Sequence, residues 1–150
     1  MGAAELEAQL SQFIDKFSPA NQTLIRGARQ ALKTRMPAAY ELVYDNYNFF
    51  VIGYCTTERP SDCIVSLAAS AKGVSLSFYR GTSLSDPHGL LQGAGSQNRF
   101  IRLGSPSTLS LPAVEALIGE AVAGAPTPLA DGRHGLLHIR SVSAKQRPRR

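Results

Sequence analysis

The chain has 150 residues, of which 43% are apolar and 18% charged, and a formal net charge of +5. A chain of that length buries roughly two thirds of the surface its unfolded form would expose, so wholesale disorder is excluded and no disulfide or metal staple is required. Arg140, Lys145, Arg147, Arg149 and Arg150 account for the whole basic excess, which leaves a neutral domain ahead of a basic tail and excludes long-range steering of an anion by the domain itself.

Leu6, Leu10, Phe13, Ile14 and Phe17 recur at spacings of three and four and predict a first amphipathic helix, with Glu5, Gln9, Gln12 and Lys16 on its other face. Ser18-Pro19 starts a second helix: the hydroxyl caps free amides, and the proline ring occupies a position where no N–H is needed. Leu24, Ile25, Ala28 and Leu32 form its apolar side, and Pro37 ends it after Met36. From Tyr40 the period becomes two, so strands are expected at about 40 to 44 and 47 to 55, with Asp45 and Asn46 turning the hairpin.

CIVSLAA predicts a third strand and VSLSFY a fourth, joined at Lys72-Gly73, with Val74, Leu76 and Phe78 alternating against Ser75, Ser77 and Tyr79. Asp86-Pro87 is expected to open a short helix ending at Gly93, before RFIRL supplies a fifth strand. Ser110-Leu111-Pro112 opens a third helix on Val114, Leu117, Ile118, Ala121 and Val122, closed by Gly124. LLHIRSV adds a possible last strand after a proline linker. The expected fold is α+β: an N-terminal helix pair, a mostly antiparallel sheet of about five strands, and a C-terminal helix packed on that sheet. Residues 1–139 form one domain in this reading, and 140–150 a flexible, solvated basic tail.

The helix pair, the YELVYDNYN turn, the DPHGLLQGAGSQNRFIRL segment and the LPAVEALIGEAVA helix together resemble the YdhG-like family of domains of unknown function, over roughly residues 10 to 124. A narrower branch is also similar in the tail string IRSVSAKQRPRR. The resemblance implies a compact α+β domain with an antiparallel sheet and implies no catalytic residues. One branch of the family is described as frataxin-like iron chaperones, yet here the first helix offers only scattered Glu5, Glu7 and Asp15 where hard iron sites want clustered oxygens.

Two segments carry the candidate site. Tyr44, Asp45, Asn46, Tyr47 and Asn48 gather stacking surfaces and hydrogen-bonding groups at one turn, although Asp and Asn there also follow from backbone geometry. In DPHGLLQGAGSQNR and the strand after it, Asp86 and His88 are ionisable, Gly93, Gly95 and Ser96 form a loop able to converge amides on an anion, and Arg99 and Arg102 supply charge. No P-loop or dinucleotide fingerprint is present. Asn48 is expected to tie the glycine loop to the hairpin.

His134 and His138 share an i, i+4 spacing, but a third metal ligand would have to come from His88 or Asp131, and no metal or other cofactor is expected. Cys55 and Cys63 read as small core residues without a disulfide. No secretory signal precedes the first helix, no apolar run approaches the roughly 18 residues of a membrane span, and Leu6 stands where a myristoylation signal has Ser or Thr, so a cytoplasmic protein without membrane ties is expected. The leading functional expectation is a non-enzymatic module binding a small molecule or a protein partner between the two segments. The alternatives are an iron chaperone, an enzyme using Asp45, Asp86 or His88, and a nucleic-acid accessory protein whose tail makes weak, non-specific contacts.

Overall fold

The computed structural model describes residues 2–130, 132 and 134–150. Helix α1 (Ala3–Asp15) and helix α2 (Pro19–Arg35) form the expected pair, and the Asn21 amide donates to Ser18 Oγ at 3.3 Å as the N-cap reading requires. Six strands follow: β1 (Tyr40–Asp45), β2 (Phe50–Cys55), β3 (Cys63–Ser70), β4 (Gly73–Phe78), β5 (Arg99–Leu103) and β6 (Leu137–Val142), with α3 (Pro112–Ala123) between the last two. The spatial order is β5-β4-β3-β2-β1-β6.

Each pair from β1 to β5 is antiparallel, whereas β6 runs parallel to β1, so the sheet is mixed and has six strands rather than about five. The long return through α3 allows this, since a parallel neighbour needs a crossover and a hairpin cannot make one. Gly135 admits β6 to the edge: a Cβ there would collide with the Ala39 carbonyl, while its own amide donates to Pro37 O at 3.0 Å. Gly27 plays the same part on α2, where an added Cβ would lie 2.6 Å from Pro106 Cγ.

All three helices pack on one face of the sheet. Phe13 and Phe17 meet Phe50 with ring centroids 6.2 and 6.0 Å apart, and Leu67, Leu76, Leu117 and Ile118 join the same core. Glu41 lies on that face at 5% exposure, held by Arg29 through two hydrogen bonds of 2.9 Å and by a hydrogen bond donated by the Tyr54 hydroxyl. Arg29 also grips Glu7, so one guanidinium ties α1 and α2 to β1. Burial would disfavour the Arg29 charge, but its bonds to Glu41 and Glu7 reverse that and hold it above its ordinary value. Among the described residues, the opposite face carries a small cluster of Leu42, Cys55 and Cys63 with Tyr40 and Tyr44, none of them from a helix.

Three expectations need correction. Residues 46–49 are a four-residue turn closed by the Asn46 amide on Phe49 O at 3.0 Å, so β2 starts at Phe50 and not at 47. Asp86-Pro87 opens no helix: Asp86 takes φ 43°, and its carboxylate accepts from the Leu90 and Leu91 amides, a local turn that competes with helix. The tail is not a free, solvated appendage from residue 140, because β6 extends to Val142 and Arg149 is 4% exposed.

Candidate functional site

Asp45 ends β1 on the helix-covered face and is fully buried. Its two carboxylate oxygens take different cations: Oδ2 accepts from Lys16 Nζ at 2.5 Å and Oδ1 from Arg149 Nη2 at 2.8 Å. The backbone repeats the connection, since the Ser143 amide and the Gln146 side chain both donate to Asp45 O, and Arg149 Nη2 also donates to Asn46 O at 2.6 Å. Ser141 Oγ donates to the Asn46 side-chain oxygen at 2.7 Å. A buried charge persists only when paired and hydrogen-bonded, and the last eleven residues are wound around the hairpin end to satisfy this one.

That winding brings aromatic and basic groups together. Arg147 donates its amide to Tyr47 O at 2.9 Å and stacks its guanidinium 5.6 Å from the Tyr47 ring centre. Tyr47 and Phe49 are 43% and 49% exposed, unusual for rings of their size. Beside Phe49 a cleft of about 440 Å³ is lined by Asn48, Ser70, Lys72, Arg147 and Arg150, and its described lining includes no acidic side chain. Arg102 extends the basic rim by donating to Lys72 O at 3.1 Å.

The two predicted segments do not meet. The hairpin turn lies at the β1–β2 end, and the glycine loop precedes β5 on the far edge; β1 and β5 are four strand spacings apart, about 19 Å. Register puts Arg99 opposite Phe78, at the end of the sheet remote from Phe50. Of the predicted residues, Tyr44, Asp45, Asn46, Tyr47 and Asn48 stay together, with Tyr44 turned to the opposite face by strand alternation. Arg102 alone from the second segment lies at their end of the sheet.

The glycine loop closes on itself rather than on Asn48. Arg99 Nη1 donates to Gly95 O at 2.6 Å and Asn98 O at 2.7 Å, spending its charge on the loop's own carbonyls. The Thr82 amide donates to Gln97 O and the Thr82 hydroxyl to Ser96 O, and Gly93 takes φ 115° beside the Phe100 ring. Asp86 is engaged in its turn and His88 sits at the exposed tip, so Asp45, Asp86 and His88 do not converge.

His138 stacks on Tyr40 at 5.9 Å, with Nε2 3.9 Å from Glu58 Oε1. Residues 134–138 are not helical, so the i, i+4 spacing does not set two imidazoles on one face; Asp131 lies outside the described residues. Among the described residues no group of three His, Cys, Asp or Glu side chains is placed to hold a metal ion. No described helix is long and apolar enough to cross a membrane. A second, larger cleft of about 790 Å³ lies between the start of α1, the end of α2 and the approach to β6, and is lined by Leu6, Glu7, Lys33, Met36, Glu41 and His134 among others.

What sequence reasoning missed here is Arg149, Arg147, Lys72 and Phe49. The only advance signal for Arg149 was that Asp45, a carboxylate sharing the inward face of β1 with Val43 and Glu41, needed a cation. Comparison with known protein families, with curated proteins and with solved structures gives no significant match.

Proposed function

We propose that this protein is a non-enzymatic binding module whose partner is a single-stranded nucleic acid, held on the corner built by the hairpin turn, the Lys72 turn and the docked tail. The observation that carries the reading is the pairing of exposed Phe49 and Tyr47 with Lys72, Arg147 and Arg150 around a cleft whose described lining has no carboxylate. Bases stack on aromatic faces whatever their identity, and cations at the rim meet the phosphates between them. Asp45 pairs with Arg149 and Lys16 internally, while Arg147 and Arg150 face solvent. The YdhG-like resemblance belongs to this proposal as well and is compatible with a binding role.

Fluorescence anisotropy with labelled oligo-dT and oligo-U tests it. The expected result is saturable binding with a Kd of about 10⁻⁵ M at low salt and a log–log salt slope of about −2, the value for three phosphates neutralised. Phe49→Ala should weaken binding about tenfold, the worth of a modest base stack. If heparin binds equally well and Phe49→Ala changes nothing, the surface is a general polyanion site; absence of binding at low salt rejects the reading.

A second reading rests on the 790 Å³ cleft, a volume in the range of small-molecule pockets. It is independent of the first, and a thermal-shift screen of the wild type against Lys33→Ala separates them, since Lys33 does not line the hairpin cleft.

A further inference from the structure

Cys55 and Cys63 stand opposite each other in the β2–β3 register, next to an irregularity that leaves Ile64 without a β2 partner. Directly opposed residues of antiparallel strands have Cα atoms about 4.5–5.5 Å apart, inside the span a disulfide bridges. Both thiols are free and belong to the small cluster with Leu42 rather than to the main core, with Cys63 the more exposed of the two at 7% against 1%. Gly53 flanks the site, and because it has no side chain the nearest ordinary Cβ position would lie 3.5 Å from Cys63 Sγ.

The two sulfurs are chemically unequal. Cys63 Sγ lies 3.3 Å from Ser66 Oγ and donates to Val65 O at 3.3 Å, and the Arg80 guanidinium reaches the Cys63 backbone carbonyl at 3.5 Å, so a hydroxyl adjoins the sulfur and a cation lies on the same residue's backbone. Cys55 has neither partner and sits deeper. A thiolate is the nucleophile in thiol oxidation, and donors beside a sulfur favour it. A hydrogen bond from Cys55 is the main influence holding the Cys63 thiol below its ordinary value, while the same bond pushes Cys55 up.

We propose that Cys63 and Cys55 are a peroxide-oxidised pair, in which Cys63 is the attacking thiol and Cys55 the resolving one. The Cys63 thiolate attacks one oxygen of a hydroperoxide; the O–O bond breaks, the departing oxygen takes a proton and leaves as alcohol or water, and Cys63 becomes a sulfenic acid. The Cys55 sulfur then attacks the Cys63 sulfur, the S–O bond breaks, and hydroxide leaves as water with the Cys55 proton. In total two thiols and one hydroperoxide become one disulfide, one alcohol or water, and one water, the two thiols supplying both electrons. The pair sits at the end of β2 remote from the hairpin turn and does not depend on the nucleic-acid reading.

The test uses the full reduced chain with equimolar hydrogen peroxide, followed by denaturation, alkylation and intact-mass measurement. The expected product has lost two hydrogens, takes no alkyl group, and regains two alkylatable thiols with dithiothreitol; peptide mapping should join the Cys55 and Cys63 peptides. In Cys55→Ser, dimedone should trap a sulfenic acid at Cys63, and in Cys63→Ser, Cys55 should stay a free thiol. Mapping of the wild type keeps the test decisive even if a variant fails to fold. Two alkylatable thiols after peroxide, a disulfide only between chains, or dimedone capture at Cys55 in Cys63→Ser would each overturn the proposal.

Discussion

The hairpin–tail corner and the glycine-loop corner are both polar and rich in arginine, yet they use their charges in opposite ways. At the first, a buried carboxylate collects Lys16 and Arg149, and this fixes a segment that then presents Arg147 and Arg150 outward. At the second, Arg99 folds back on the carbonyls of Gly95 and Asn98, and Asp86 on the amides of Leu90 and Leu91, so its polar groups are consumed in holding their own loop. A charge cluster becomes a binding surface only when something else satisfies the backbone around it. The most direct way to break the comparison is to remove the carboxylate from each corner. Asp45→Ala strands buried Arg149 and should cost about 3–5 kcal/mol in denaturant unfolding, whereas Asp86→Ala loses a partly exposed turn cap worth about 1 kcal/mol. Equal costs would show that Asp45 is not an organising charge.

Truncation after Val142 probes the same corner from the tail side. It keeps β6 and Lys16 but removes Arg149, Gln146 and the Ser143 amide from Asp45. A loss of about 2–3 kcal/mol is expected, because a buried acceptor loses its charged partner, and the melting temperature should fall by roughly 4–12 °C. An unchanged melting temperature would mean that the tail is solvated after all.

Acid titration gives a smaller effect on the side of the sheet that holds β1. The Arg29 hydrogen bond beside Glu7 holds that carboxyl below its ordinary value of 4.5. A lowered folded-state value contributes stability that is fully present above 4.5 and is lost as the pH falls from there through the folded value. Glu7 is about half exposed, so solvent screening limits the contribution to under about 1 kcal/mol. Unfolding of wild type and Glu7→Gln at neutral pH and at low pH checks it: the gap between them should close in acid.

Much of the fold was legible because its signals are local. The Ser18 cap, the alternation of Val74, Leu76 and Phe78 and the apolar stripe of α3 each reflect a period or a cap within a few residues. Asp86-Pro87 shows the limit of such signals, because the same residues that start a helix also close a turn when the carboxylate finds amides at i+4 and i+5. The site was half legible. Tyr47, Asn48 and the tail arginines were visible singly, but Arg149 and Asp45 are 104 positions apart, and no local pattern announces such a partner. The parallel placement of β6, which carries the tail to the hairpin, depends on Gly135 passing the Ala39 backbone, a steric permission that periodicity does not display.

The smallest expected effect sharpens the separation of the two corners. Asn48 is exposed and lines the hairpin cleft, while Gly95 accepts through its carbonyl from Arg99 in the loop before β5. Asn48 sits in the turn between β1 and β2, which lie four and three strand spacings from β5, about 19 and 14 Å, beyond the distance at which mutational effects couple without a shared partner. Asn48→Ala removes a solvated amide and should change stability by under about 0.5 kcal/mol. Gly95→Ala has room for a Cβ, with the Asn98 carbonyl 3.8 Å away, so it too should be mild. In denaturant unfolding the double mutant should equal the sum of the singles within about 0.5 kcal/mol. A larger coupling would place the glycine loop against the hairpin and would restore a single site spanning both segments.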